Sequence, residues 1–313
     1  MANGSESITR ALGEATLPVG AAGSGVRARG ESPVGQAIHR LRKSTTAVIG
    51  AFIVAGLLLV ALFADVLAPQ SPIVSDQLHT FEPPSADYPL GTDQLGRDML
   101  SRVIHGSRVS LVVGVSSVVL ALLVGVPLGM IAGYVGGRID GLVMRAMDLV
   151  LAFPVYLLAI IVMIMFTPTA GPLGTIKVVA AIAIVRIPIY ARLVRGSVLS
   201  IKEKEFIEAS RALGVRDPMI VLRHVLPNCL APIIVTTTLG IATAIIVEAT
   251  LSFLGLGTQP PTPSWGWDLK ANVAFIQANP WLSLFPGLAI FVTVLGFNLF
   301  GDGLRDALDP RLK

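Results

Sequence analysis

The sequence predicts an all-α polytopic membrane protein with six transmembrane helices, and three observations predict it. Hydrophobic residues make up 53% of the 313, charged residues 14%, and the mean hydropathy is +0.74. So few polar groups cannot solvate a globule of this length, and lipid must cover much of the surface. Six apolar runs also reach or approach the roughly 18 residues with which a helix crosses about 30 Å of hydrocarbon. Finally, none of the runs alternates with the period of two that a closed membrane barrel, the other spanning solution, requires.

Residues 1–46 are rich in Gly, Ala and Ser without an apolar period and read as a disordered cytoplasmic tail. The first span, 47–67, is long enough to stay as an anchor, so no cleavable signal is predicted. An extracytoplasmic segment, 68–108, follows, with Pro69, Pro72, Pro83 and Pro84 ahead of Gly91-Thr92-Asp93-Gln94-Leu95-Gly96-Arg97-Asp98. Leu100, Val103 and Ile104 fall at helical spacing and predict a short amphipathic helix at the outer surface over 97–105. The core, 109–304, holds the other five spans, at 109–134, 149–166, 178–194, 231–254 and 282–304, with a cytoplasmic loop at about 200–228. Residues 305–313 form a cytoplasmic tail.

Orientation follows from the basic residues. With the N-terminus inside, eighteen of the 24 Lys and Arg fall on the cytoplasmic side, five outside (Arg97, Arg102, Arg108, Lys177, Lys270), and Arg186 in the membrane. The positive-inside rule therefore places both termini in the cytoplasm of a cell whose inner membrane the chain crosses. The net charge of +4 is topological information and gives no support to a nucleic-acid partner.

Charges within the apolar regions must face protein or water, since each costs at least about 2.5 to 3.5 kcal/mol near the bilayer centre. Asp148 lies at a depth that Arg192 or Arg186 shares, and an interhelical ion pair is favoured over a gate or pathway contact. Glu248, towards the outer end of the fifth span, either lines a path through the bundle or hydrogen-bonds a neighbouring helix. Pro188 is expected to kink the fourth span.

Several chemistries find no carrier. No Gly-x-x-x-x-Gly-Lys-Ser/Thr loop occurs, so ATP hydrolysis is not expected in this chain. His39, His79, His105 and His224 are scattered without metal-ligand spacing, and no Ser sits in a Gly-x-Ser-x-Gly elbow. The lone Cys229 excludes an internal disulfide and reads as a small packing residue. An ion-gradient-driven transporter and a non-transporting membrane scaffold remain open on composition alone.

The loop at 200–228 is the most informative stretch. Glu208 to Leu213, with Glu208-Ala209-Ser210 at its start, can form one short helix, Gly214 permits a bend at positive φ, and Leu226-Pro227 comes twelve residues after the Gly, with Glu205 and Asp217 in the same loop. This spacing resembles the EAA loop of importer-type ABC permeases, with Ser210 in place of the third-position Ala and His224 in place of Ile. The resemblance implies a type I importer fold, with these residues docking onto a separate ATP-hydrolysing subunit. Glu208 would meet basic groups there; as a plain residue it is a solvated Glu on an interfacial helix. Gly91-Thr92-Asp93, Gly96-Arg97-Asp98, Ser101-Arg102 and Gly106-Ser107-Arg108 narrow the resemblance to the dipeptide and oligopeptide permeases, which include nickel and glutathione importers. So do Arg145-Ala146-Met147-Asp148, Leu151-Ala152-Phe153-Pro154 and Gly301-Asp302-Gly303-Leu304-Arg305-Asp306. It is nearest to the second, six-span permease subunit. The partners implied are a homologous permease, two ATP-binding subunits that hold ATP and magnesium, an extracytoplasmic binding protein and a peptide substrate, with no cofactor in this chain.

Overall fold

The computed structural model describes residues 33–165 and 171–308; residues 1–32 of the expected tail, Phe166 and 309–313 lie outside them. Contacts divide the chain between Gln36 and Ala37, and apart from the first turn of the first helix everything below concerns the unit that begins at Ala37. The described residues form ten principal helices and no strand beyond one isolated bridge, Thr92 to Asp98.

Helix α1, Pro33–Lys43, falls within the stretch expected to be disordered to residue 46 and corrects that reading at its end. Ser44 then caps α2, Thr45–Leu62, its hydroxyl accepting from the Ala47 amide at 3.3 Å. At the other end of α2, Arg108 reaches over to donate to the Ala61 carbonyl at 2.6 Å and the Leu62 carbonyl at 3.1 Å. Its guanidinium also pairs with Asp65 at 2.9 Å, so one side chain satisfies carbonyls that the helix end leaves open.

Helix α3, Met99–Val135, begins at an Asp98 cap whose carboxylate accepts from the Ser101 amide at 2.8 Å. It is one uninterrupted helix, so the separate amphipathic helix expected at 97–105 does not exist: those residues are the first turns of the second span. Arg102 and Arg108, on this helix, are neutralised by partners distant in sequence.

Helices α4, Gly137–Leu151, and α5, Val155–Met165, meet at 90°. Pro154 supplies no N–H and pushes Phe153 out of helical conformation, which breaks the run expected as a single third span. Among the described residues five helices are long and apolar enough to cross a membrane, and the bent α4–α5 pair makes six if it counts as one crossing. Helix α6, Gly171–Lys202, continues through Pro188. The cytoplasmic-loop helix α7, Glu205–Ala212, follows. A turn at Asp217–Ile220 and a π-helical turn at Val221–Val225 lead into α8, Leu226–Phe253. Pro227 cannot bond the Arg223 carbonyl four residues back, and the wider π turn accommodates its ring there. Asp217 to Phe253 is thus one helical rod. Helices α9, Trp265–Asn272, and α10, Trp281–Leu308, complete the chain.

Helix α3 against α6 is the central contact. Gly125, Gly129 and Gly133 form a small-residue ridge on α3, where a methyl group would stand 2.7 Å from the Ile187 carbonyl at the first position and 2.8 Å from Val198 Cβ at the last. Such ridges let backbones approach in lipid, where no hydrophobic force draws helices together. Gly296 and Gly303 of α10, with Gly50 of α2, make a second seam. Large apolar residues such as Phe52, Leu123 and Leu142 remain exposed on the outer faces, as a lipid-covered bundle requires.

Candidate functional site

Helix α7 stands at the end of the bundle where α3 and α6 terminate, held by one inward residue. Ile207 is fully buried in a cluster with Val194, Val198 and Ile201 of α6, Ile220, Val225 and Cys229. Burying a side chain of that size contributes about 1.5 to 3 kcal/mol. Cys229 is therefore the packing residue that its position in the sequence implied.

The helix ends at Gly214, with φ of +79°. The Gly214 amide donates to the Arg211 carbonyl at 2.9 Å and the Val215 amide to the Ser210 carbonyl at 3.1 Å. These two bonds make a Schellman stop, which needs a left-handed residue at the position of Gly214. Nothing lies within 4 Å of where a Cβ would be, so the glycine is required by backbone conformation alone. Ser210, the departure from Ala, turns its hydroxyl back onto the Phe206 carbonyl at 2.7 Å and presents no free donor outward.

Glu205, Glu208, Ala209 and Ala212 are exposed on the outward face. The two carboxylates lie in the first turn, where the helix dipole favours them by about 0.3 to 1 kcal/mol each. Exposed apolar residues surround them: Phe206, Leu213, which is 83% exposed, Met219 and Leu222. The motif spacing drew attention to the small and acidic positions and not to these. The legible signal was large apolar residues in a loop too short and charged to be a span.

Asp217 behaves differently from Glu208. It accepts a hydrogen bond from the Tyr134 hydroxyl at 2.5 Å and lies 3.9 Å from Arg211, whose guanidinium sits 5.5 Å from the Tyr134 ring centre. Asp217 thereby fastens the loop to the last turn of α3. A groove of about 880 Å³ opens beside this fastening, lined by Met130, Tyr134, Arg211, Val215 and Leu222 among others. Leu226 is half-buried against the cluster and Pro227 is exposed at the start of α8.

The intramembrane charges separate into three cases. Asp148 pairs with Arg192, joining α4 to α6, and both side chains are at least half exposed. Three residues on from Arg192, Arg195 binds Asp140 with two hydrogen bonds, 2.5 and 2.6 Å, so two ion pairs tie α4 to α6. Arg186 does not share the Asp148 pair; it is 7% exposed and packs on Gly240 of α8. Glu248 is wholly enclosed, accepting from Ser252 at 2.8 Å, Ser264 at 3.0 Å and Ser110 at 3.5 Å. It joins α8 to the α9 region and α3, which is the hydrogen-bonding alternative and leaves no surface for a passing peptide in this conformation.

The end of the bundle opposite α7 is closed by contacts that sequence patterning did not anticipate. Arg102 donates to Asp268 at 2.8 Å with both side chains 1% exposed, and Trp265 Nε1 donates to the Val103 carbonyl at 2.8 Å. In the preceding segment, Arg97 binds Asp93 at 2.6 Å, and Gly96 takes a φ of +72° with the Asp76 backbone pressed against its Cα. Among the described residues no three of His, Cys, Asp and Glu group so as to hold a metal.

Comparison with known proteins covers nearly the whole chain. Residues 125–313 match the family profile of binding-protein-dependent transport system inner membrane components, and residues 32–84 that of the N-terminal membrane domain of oligopeptide transport permease C. The chain is 46% identical to the dipeptide transport system permease protein of Alkalihalophilus pseudofirmus over 90% of its length and 91% of that protein's. To the di/tripeptide transport permease of Pseudomonas aeruginosa it is 47% identical, over 81% and 84%. To the glutathione transport permease of Pectobacterium atrosepticum it is 44% identical, over 87% and 89%. In fold it is similar to a chain of the inward-facing MetNI methionine ABC transporter, with a TM-score of 0.56 at 18% identity, over 67% of this chain and 98% of that one.

Proposed function

The chain belongs to the family of binding-protein-dependent transport system inner membrane components, as a permease subunit of an ABC importer, and from that premise we propose that it translocates dipeptides or short oligopeptides. The observation that carries the coupling part of this reading is α7: a short helix anchored by Ile207, stopped at Gly214, and presenting Glu205, Glu208, Ala209 and Leu213 outward. A partner cleft receives that face, with Glu208 meeting basic groups and the exposed apolar residues becoming covered. Asp217, Leu226 and Pro227 hold the loop at a set angle to the bundle.

In this proposal the chain pairs with a second, homologous permease to form the path. Two ATP-binding subunits, which hold ATP and magnesium, dock below, and a soluble binding protein delivers peptide from outside. The membrane is the cytoplasmic one and both termini face the cytoplasm, which puts α7 on the side where ATP is. ATP binding draws the ATPases together, and the movement of the two docking helices tips the path between inward-facing and outward-facing states. The permease performs no chemical step; it has two conformations whose balance the ATPases bias.

The names of the relatives support peptides as the substrate class, with glutathione as a short peptide of the same kind. The test is to purify a tagged chain in mild detergent, identify what accompanies it by mass spectrometry, and repeat with Gly214→Pro. The expected result is a second permease and P-loop ATPases with the wild type, and loss of the ATPases from the variant. Recovery of the chain alone, with uptake intact and independent of ATP, overturns the reading.

A further inference from the structure

Arg186 lies halfway along α6 and Gly240 halfway along α8, so both stand near the middle of the spanning bundle. Arg186 is 7% exposed, its Nε is enclosed without a hydrogen-bond partner, and no ion pair engages it among the described residues. One turn on, Tyr190 is fully buried. Its hydroxyl lies beside Arg186 and Thr237. Both groups crowd Gly240, where a Cβ would stand 2.5 Å from Tyr190 Oη and 2.8 Å from an Arg186 terminal nitrogen. The absent side chain of Gly240 is what gives them room.

The nearby carboxylates are engaged elsewhere. Asp148 is held by Arg192, Asp140 by Arg195, and Glu248 by three serines. Glu248 is also roughly 12 Å along α8 from Gly240, at 1.5 Å per residue. Arg186 is therefore a permanent cation at the costliest depth of the bilayer, with no counter-charge among the described residues. Guanidinium nitrogens and a phenol are all able to donate here, and the ligand that completes them is an anion with acceptor oxygens in a plane. A carboxylate matches the guanidinium fork with two parallel hydrogen bonds.

We propose that Arg186 and Tyr190 form a midplane site that receives the C-terminal carboxylate of the transported peptide. The inference rests on the peptide-permease reading above and names the part of the substrate that the chain recognises. Every linear peptide carries that group whatever its side chains, so one fixed cation serves a broad range of peptides.

The test uses the complete transporter in proteoliposomes with its binding protein and ATP. Uptake of a radiolabelled dipeptide is compared with uptake of its C-terminal amide, each normalised to its measured affinity for the isolated binding protein. The wild type is expected to favour the free acid by roughly ten-fold or more beyond the binding protein's own preference, as loss of a charge-assisted pair predicts. Arg186→Gln removes that excess, and Tyr190→Phe reduces it to about three-fold, with ATPases and second permease still co-purifying. A wild type without the excess, or an Arg186→Gln variant that keeps it, overturns the proposal. So does loss of the second permease from Arg186→Gln, which assigns the counter-charge to that chain. If Arg186→Gln does not insert, Tyr190→Phe decides: an unchanged preference overturns the site. Failure of the wild type to move either compound is a failure of the peptide reading itself and is visible before any variant is made.

Discussion

The Val215 amide donates to the Ser210 carbonyl at 3.1 Å, across a glycine at φ +79°. That bond closes α7 and sets the direction in which its face leaves the bundle. An L-residue in the left-handed region costs about 1 to 2 kcal/mol, and Asn tolerates it best. Gly214→Asn is therefore expected to retain ATPase binding within about two-fold, while Gly214→Val, with a β-branched side chain, lowers it at least ten-fold. Co-purification and peptide uptake measure both. Equal behaviour of the two variants counts against a backbone role for Gly214.

The Gly129 position tests the helix ridge. Its Cα faces the Ala191 carbonyl and Val194 Cβ, and a methyl group would stand 2.9 Å from the latter. Gly129→Val forces α3 and α6 apart and is expected to destabilise the fold by about 1 to 3 kcal/mol or more. A lowered thermal midpoint of the purified transporter is the readout. Gly141, with nothing within 4 Å of its Cβ position, is the control, and its replacement by Ala leaves the midpoint within error.

Two ion pairs of the same composition should respond to neutralisation to very different degrees. Arg102 and Asp268 are each 1% exposed, so Asp268→Asn leaves a buried guanidinium uncompensated and costs about 3 to 5 kcal/mol. Asp148 and Arg192 are 59% and 50% exposed, and Asp148→Asn costs about 1 kcal/mol or less after solvent screening. Thermal unfolding in detergent separates the two. A large effect at Asp148 would mean that lipid or a partner chain removes it from water in the assembled transporter.

A pH dependence is expected in the segment before α3. His79 Nδ1 and Asp76 Oδ2 are 2.8 Å apart. The hydrogen bond that its ring N–H donates to Asp76 raises His79 above its ordinary 6.5, while His79 and then the Leu78 amide hold Asp76 below its ordinary 3.8. His79's contribution is complete below 6.5 and is lost as pH rises through its raised value; that of Asp76 is present above 3.8 and lost as pH falls through its lowered one. Hydrogen exchange corrected for intrinsic rates should show stronger protection around Leu78 and Glu82 at about pH 5.5 than at about pH 8.5. His79→Gln should abolish the difference, and equal protection at both pH values in the wild type would sink the idea.

What the sequence made legible was whatever is local. Within the loop from Glu205 to Pro227 a short helix and its stop at Gly214 were legible because they depend on residues next to one another, although the helix begins three residues before Glu208. Long-range partners decide the rest. Residues 97–105 read as a short surface helix from the spacing of Leu100, Val103 and Ile104, and the pairing of Arg102 with Asp268 and of Arg108 with the carbonyls of α2 accommodates their charges in one continuous helix. The fold at Pro154 was present in the motif around it, yet apolar content alone does not register a change of direction, so 149–166 read as one crossing. Glu248 and Arg186 read alike as intramembrane charges; their difference lies in three serines that converge on the one and none on the other.

The rod from Asp217 to Phe253 is unbroken over 37 residues, or about 55 Å at 1.5 Å per residue. One end emerges from the docking loop and the other carries the Glu248 latch to Ser264. A tilt of about 5° imposed at the loop displaces the far end by roughly 5 Å, more than a hydrogen bond survives. Leverage of that kind would let a small angular change imposed at the 200–228 loop unfasten the opposite rim, without any intermediate relay between the two.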